Sequence, residues 1–137
     1  MSSIGTDIEE ISRIEQVLAR TPKFAEKVFT ALEREYCKSK GRPAQHYAAR
    51  FCAKEAFAKA LGVPLSWQEV EVSNNSHGAP VLRVTGETAK LLDKRGVRLS
   101  LSHAGDYAIA VVLVEDLESG EEILTQSRKG AENEIGE

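Results

Sequence analysis

From Pro43 to Gly62 no glycine or further proline interrupts the chain, and Ala, Lys, Glu and Leu dominate the stretch from Arg50 to Leu61. These are strong helix formers, so the middle of the sequence is committed to one long helix. Gly62 can adopt the left-handed conformation that ends a helix, and Pro64 cannot continue the hydrogen-bond ladder. Ala48, Cys52, Ala56 and Ala60 recur every four residues, a row small enough to let another backbone come close. The helix is therefore expected to cross the interior. Phe51, Glu55 and Lys59 form a second row at the same spacing, which places a carboxylate and an ammonium one turn apart beside an aromatic ring. Taken alone, that pair is also the ordinary orientation of a surface ion pair worth roughly 0.2–0.5 kcal/mol, so the spacing leaves both readings open.

Upstream, Ser3 to Ile8 alternates Ile4, Thr6 and Ile8 with Gly5 and Asp7. This predicts a short strand whose second face carries two poor strand residues. Ile11, Ile14, Val17 and Leu18 then follow at helical spacing as far as Pro22, so the strand delivers Asp7 to the mouth of a helix. Arg13 and Arg20 share a face of that helix, with Lys23 and Lys27 just beyond. The basic strip reads equally as a solvated face or as a docking surface for an acidic partner. Thr30-Ala-Leu-Glu33 fits a capping box and opens a helix expected to end near Gly41.

After Pro64 the pattern becomes extended. Val70 and Val72 alternate with glutamates, and Val81 to Val84 is a second extended run. The turn-rich Asn74-Asn-Ser-His-Gly78 between them predicts a hairpin. Gly86 to Arg95 has helical spacing, with Gly96 as the expected stop. Val97, Leu99 and Leu101 then alternate with polar residues in a strand that runs into His103. Ala104-Gly-Asp106 is a turn, and Tyr107 to Glu115 has the β-branching of a central strand. Helices followed by mainly antiparallel strands predict an α+β domain over residues 1–117, helices packed on a small sheet. Residues 118–137 are polar and acidic and are expected to be a disordered tail.

Composition bounds the function. At 137 residues and 42% hydrophobic content the chain can bury one real core. A net charge of −3 and pI near 5.7 exclude a generally basic nucleic-acid binder. Cys37 and Cys52 share no metal-like spacing with His46, His77 or His103 and read as buried thiols. The longest apolar run, Tyr107 to Val114, is too short for a membrane helix, and the N-terminus lacks a leader pattern. The expected compartment is the cytoplasm. Asp7 and Glu55 each sit where local structure gives a carboxylate little reason to be. Two such groups meeting in a partly buried cleft need a shared proton or a cation. Mg²⁺ suits an all-oxygen site that is completed by water and phosphate. The residues by themselves leave open whether the two meet.

Gly5-Thr-Asp7-Ile-Glu-Glu-Ile11-Ser-Arg13-Ile14 and Phe51-Cys-Ala-Lys54-Glu55-Ala-Phe-Ala-Lys59-Ala-Leu-Gly62 resemble, in order and spacing, the two signature motifs of the holo-acyl-carrier-protein synthase family. Gly78-Ala-Pro80 and Ser100-Leu-Ser102-His103 also fit, and the likeness covers roughly residues 4 to 114. It implies transfer of 4'-phosphopantetheine from coenzyme A to a serine of an apo acyl carrier protein, in support of fatty acid synthesis. It further implies that Asp7 and Glu55 hold Mg²⁺, that Lys59 and His103 act beside them, and that Arg50, Lys54, Lys59, Gly78, Pro80, Ser102 and His103 contact coenzyme A. By the same likeness, Arg13 and Arg20 dock the acidic carrier, and homotrimers build their sites between subunits. Departures from the pattern are Glu9, where an uncharged residue is commoner, and Ala104. Neither is expected to touch a proposed ligand. A non-catalytic carrier-binding module is the rival reading, and such a module would have no use for Asp7, Glu55, Lys59 and His103 together.

Overall fold

The structure is a computed structural model that describes residues 1–117; the expected tail, 118–137, lies outside the described residues. The chain opens with strand β1 (Ser2–Glu10), followed by helices α1 (Ile11–Arg20), α2 (Lys23–Val28), α3 (Ala31–Lys38) and the long α4 (Pro43–Leu61). A hairpin of β2 (Val70–Asn74) and β3 (Pro80–Val84) comes next, then α5 (Gly86–Leu92), β4 (Arg95–Ala104) and β5 (Tyr107–Asp116). The strands β1, β5 and β4 form one antiparallel sheet in that order, and β2 with β3 forms a second, two-stranded one. The α+β architecture read from the sequence is the one present.

α4 lies against the inward face of the larger sheet, and its row of small side chains permits the contact. Ala48, Cys52 and Ala56 are fully buried and Ala60 nearly so. At Gly5 the two backbones almost touch: a Cβ there would overlap the Ala56 carbonyl oxygen and stand 2.8 Å from the Ala60 nitrogen. The Ser3 hydroxyl donates to the Ala60 carbonyl at 2.6 Å, and the Cys52 thiol donates to the Ala108 carbonyl at 3.2 Å. Ala108, Ala110, Val112 and Val114 of β5 complete the interface. The helix ends at Gly62, whose φ of 81° is left-handed as expected.

The other face of α4 meets α3 and the small sheet through a polar core. Thr30 and Glu33 form the expected capping box at the start of α3. Glu33 is nevertheless buried, because it also accepts from Lys54 Nζ at 2.7 Å and from the Val72 backbone N–H at 2.6 Å. Lys54 Nζ donates further to the carbonyls of Val28 at 2.7 Å and Trp67 at 3.1 Å. The charge is thus compensated by three oxygens, one each from α2, α3 and the segment before β2.

Two boundaries differ from the sequence expectation. The Gly86 helix stops at Leu92, because Asp93 takes a positive φ of 59°. Gly96 therefore lies inside β4 instead of ending the helix. The short helix α2 directly follows Pro22, where the sequence shows only a helix break. Among the described residues no helix is long and apolar enough to cross a membrane.

The Gly5→Ala variant is expected to lose about 3 kcal/mol or more, because backbone atoms on both sides of the new methyl leave no side chain to yield. Urea unfolding followed by circular dichroism measures this; an unchanged midpoint would show that the helix can lift off the strand at little cost.

Candidate functional site

Strand alternation sends Gly5, Asp7 and Glu9 toward α4, while Ile4, Thr6 and Ile8 point outward. Lys59 lies on the edge of α4 that faces β1. Its ammonium donates to the Thr6 carbonyl at 3.0 Å and to Asp7 Oδ1 at 3.2 Å. Glu55, one turn earlier on the same row, feels the Asp7 carboxylate. Burial raises its pKa first and Asp7 raises it further, while Lys59 pulls it back. The chain therefore brings Asp7, Glu55 and Lys59 to one place. The side chain of Asp7 is only 10% exposed, and its Oδ2 is buried without a hydrogen-bond partner. A carboxylate oxygen left in that state is costly unless a cation or a proton reaches it.

Glu9 joins this group, contrary to the expectation that it would touch no proposed ligand. It stands two residues beyond Asp7 on the same strand face, its carboxyl group against that of Asp7. Burial and then Asp7 push the Glu9 pKa up to about 7, with Arg13 acting in the opposite direction. Arg13 Nη1 lies 3.4 Å from Glu9 Oε1 across one helical turn. The Cys52 thiol sits beneath the cluster, its pKa raised by burial and then by Asp7 and Glu9. The spacing Asp7-x-Glu9 at strand period was a signal for this approach. Among the described residues no three His, Cys, Asp or Glu side chains are already arranged to hold an ion.

The remaining residues of the resemblance are elsewhere. Lys54 is fully buried and bound to Glu33 and two carbonyls. The expectation that it contacts a phosphate is corrected accordingly: its ammonium is a structural group, turned away from Asp7 on the opposite side of α4. Arg50 shares that side. It is 3% exposed, stacks on Tyr36 at 4.2 Å and donates to Asn74 Oδ1 at 3.1 Å. Its Nε is buried and unpartnered, and it lines a 250 Å³ pocket with Tyr36, Val72 and Asn74. Gly78, with a φ of 84°, and Pro80 belong to the turn and first residue of the β2–β3 hairpin.

His103 is exposed near the end of β4, within 3.2 Å of Gln45 Nε2. The ladder aligns it with Ala108 and Glu9, so two strand spacings, about 10 Å, separate it from the β1 cluster. Ser102 faces the other side of the sheet. Arg13 and Arg20 are both exposed on α1. The mouth of that helix is held by Asp106, which accepts from the Ser12 backbone at 3.1 Å and from its hydroxyl, while Arg42 approaches at 3.5 Å. In the sequence Asp106 carries only a turn signal, and its capping of α1 across 94 positions leaves no local mark.

Residues 3–112 match the family described as the 4'-phosphopantetheinyl transferase superfamily. A holo-[acyl-carrier-protein] synthase of Geobacter metallireducens is 44% identical over 119 residues, which cover 81% of this chain and 94% of that protein. One from Caldanaerobacter subterraneus is 38% identical over 116 residues, covering 80% and 91%. Among solved structures, the holo-(acyl-carrier-protein) synthase of Bacillus anthracis in complex with coenzyme A superposes with a TM-score of 0.72 at 37% identity, covering 84% of this chain and 96% of that one.

The Glu9 shift has a stability consequence. Its folded pKa lies above its ordinary value of 4.5, so between about pH 4.5 and 7 the native state binds more protons than the unfolded one. Stability therefore falls as pH rises through that window. Without divalent cations, the melting temperature of Glu9→Gln should pull ahead of wild type as pH increases from 4.5 to 8. Parallel melting curves would refute the Asp7–Glu9 contact.

Proposed function

The chain belongs to the 4'-phosphopantetheinyl transferase superfamily, and from that premise we propose that it is a holo-[acyl-carrier-protein] synthase. It moves 4'-phosphopantetheine from coenzyme A to a serine of an apo acyl carrier protein and releases adenosine 3',5'-bisphosphate. The serine oxygen bonds to the phosphorus that bears the pantetheine, and the bond from that phosphorus to the bridging oxygen breaks. The serine proton passes to a base or to water. The single observation that carries this reading is the Asp7–Lys59–Glu55 cluster, with a buried and unpartnered oxygen on Asp7.

That cluster fits Mg²⁺. Its donors are carboxylate oxygens, the set this ion takes, and the orphaned Asp7 Oδ2 marks a place where positive charge is wanted. Asp7 and Glu55 would hold the ion, which when bound supplies charge neutralisation on the pyrophosphate oxygens. Lys59 has a 58% exposed side chain already leaning on Asp7, so it can turn its ammonium to the same phosphates. Arg13 and Arg20 present positive charge on α1 beside this end of β1, where an acidic carrier can dock.

One chain does not bring His103 to the cluster, and a homotrimer would. In that arrangement His103, Ser102, Gly78, Pro80 and Arg50 of a neighbouring copy supply the remaining coenzyme A contacts. The outward sheet face supports association: Ile4 is 65% exposed, Ile8 57%, Tyr107 48% and Ile109 41%, and together they form an apolar surface that a monomer would leave in water. We place the reaction in the cytoplasm, supplying holo carrier for fatty acid synthesis.

Incubation with coenzyme A, Mg²⁺ and an apo carrier, followed by intact mass spectrometry, should show the carrier gaining one phosphopantetheine. Asp7→Ala and Glu55→Gln should abolish the gain while keeping the native circular dichroism spectrum. Full turnover by either variant at limiting Mg²⁺ would defeat the metal assignment. Ile8→Glu should give a monomer by light scattering and lose activity; an active monomer would defeat the shared site.

A further inference from the structure

The backbone N–H groups that open a helix have no partner within it, and in α1 the first two go to one residue of the β4–β5 turn. The Ile11 N–H donates to the Asp106 carbonyl at 2.7 Å, and the Ser12 N–H donates to Asp106 Oδ1 at 3.1 Å. The Ser12 hydroxyl donates to Asp106 Oδ2. Glu10, in the N-cap position, makes no side-chain bond to the helix, so the start of α1 is held from a distant turn in the way a local cap would hold it. Arg42, directly before α4, approaches Asp106 Oδ1 at 3.5 Å. One carboxylate therefore ties the first turn of α1 to the sheet that carries Asp7 and to the helix that carries Glu55 and Lys59. Ile11 and Ile14 already anchor α1 in the core, and the Asp106 side chain is 40% exposed. What its bonds fix is where the first turn points.

We propose that Asp106 is a positioning residue for the carrier: by capping the first turn of α1 it holds Arg13 in the direction in which an acidic carrier docks beside the end of β1. Arg13 directly follows Ser12, and its side chain is 66% exposed. Its direction is thus set by the backbone of a first turn, and helix ends fray where nothing holds them. Arg20 lies about two turns further on, at the other end of α1, and does not depend on the cap. The inference deepens the reading of α1 as the carrier's docking helix and rests on that reading.

Steady-state transfer by the full chain, with apo acyl carrier protein and coenzyme A varied in turn, tests the inference. Asp106→Ala should raise the KM for the carrier about fivefold, the factor that losing a helix cap typically carries, with kcat and the KM for coenzyme A close to wild type. Asp106→Asn keeps an oxygen for Ser12 and should recover most of the loss; Ser12→Ala should show part of it. The backbone bond to Ile11 survives in all three variants. Arg13→Ala should then raise the carrier KM less in an Asp106→Ala background than in wild type, whereas Arg20→Ala should raise it equally in both, a difference that general loosening of the fold would not produce. An unchanged carrier KM in Asp106→Ala, an equal rise in the KM for coenzyme A, or additive effects at Arg13 would overturn the positioning role and leave the docking reading standing. If Arg13→Ala and Arg20→Ala both match wild type, the docking reading falls and this inference with it.

Discussion

The contact on which the rest of the molecule depends is the near touch of two backbones at Gly5, Ala56 and Ala60. Helices and sheets are usually held about 10 Å apart by interdigitating side chains, and here a glycine opposite alanines removes that spacer. The gap between β1 and α4 closes until short side chains on one element reach the other. Ser3 can then bond the Ala60 carbonyl, and Lys59 can reach both Thr6 and Asp7. The charged cluster thus exists because the uncharged row beside it is so small.

α4 separates two polar systems with different fates. On the β1 side, Asp7, Glu9 and Glu55 face Lys59 and Arg13 with an oxygen to spare. On the α3 side, Lys54 and Glu33 are buried and satisfy one another together with two carbonyls and two N–H groups. Removing either partner of that closed network would leave a buried charge alone, costing about 3–5 kcal/mol. The closed network is architectural and the open cluster is the one to which the proposed chemistry is assigned, although both are built from lysine and glutamate on the same helix.

This division explains what was legible in the sequence. The long helix, its glycine stop, the capping box at Thr30, the hairpin after Pro64 and the central strand all follow from local periodicity and turn chemistry. So did the pairing of Asp7 with the Glu55 row, once the resemblance joined two distant motifs. Lys54 was misplaced because spacing gives a residue's direction around a helix and not what lies there. Its partner Glu33 looked fully employed as a capping residue. Glu9 was passed over as a departure from a pattern, whereas strand alternation already put it on the same face as Asp7. Asp93 ended a helix where Gly96 was the obvious candidate, since a left-handed aspartate leaves no mark in hydrophobic spacing.

The pairing of β1 with β5 joins Ser2 to Glu115 and Asp7 to Ala110, nearly the two ends of the described chain. Among the described residues, strand β1 occupies the sheet's edge and has no other strand beside it. During synthesis, then, β1 must wait for the much later β5 before it has a strand partner, and contacts of such long sequence separation form late and slowly. Helices α1 to α4 can assemble around Phe29 and Phe57 beforehand, but Asp7 acquires its position only when β5 is complete. The proposed cation site is therefore assembled in a single late step, and a chain stalled short of β5 carries every proposed ligand without a site.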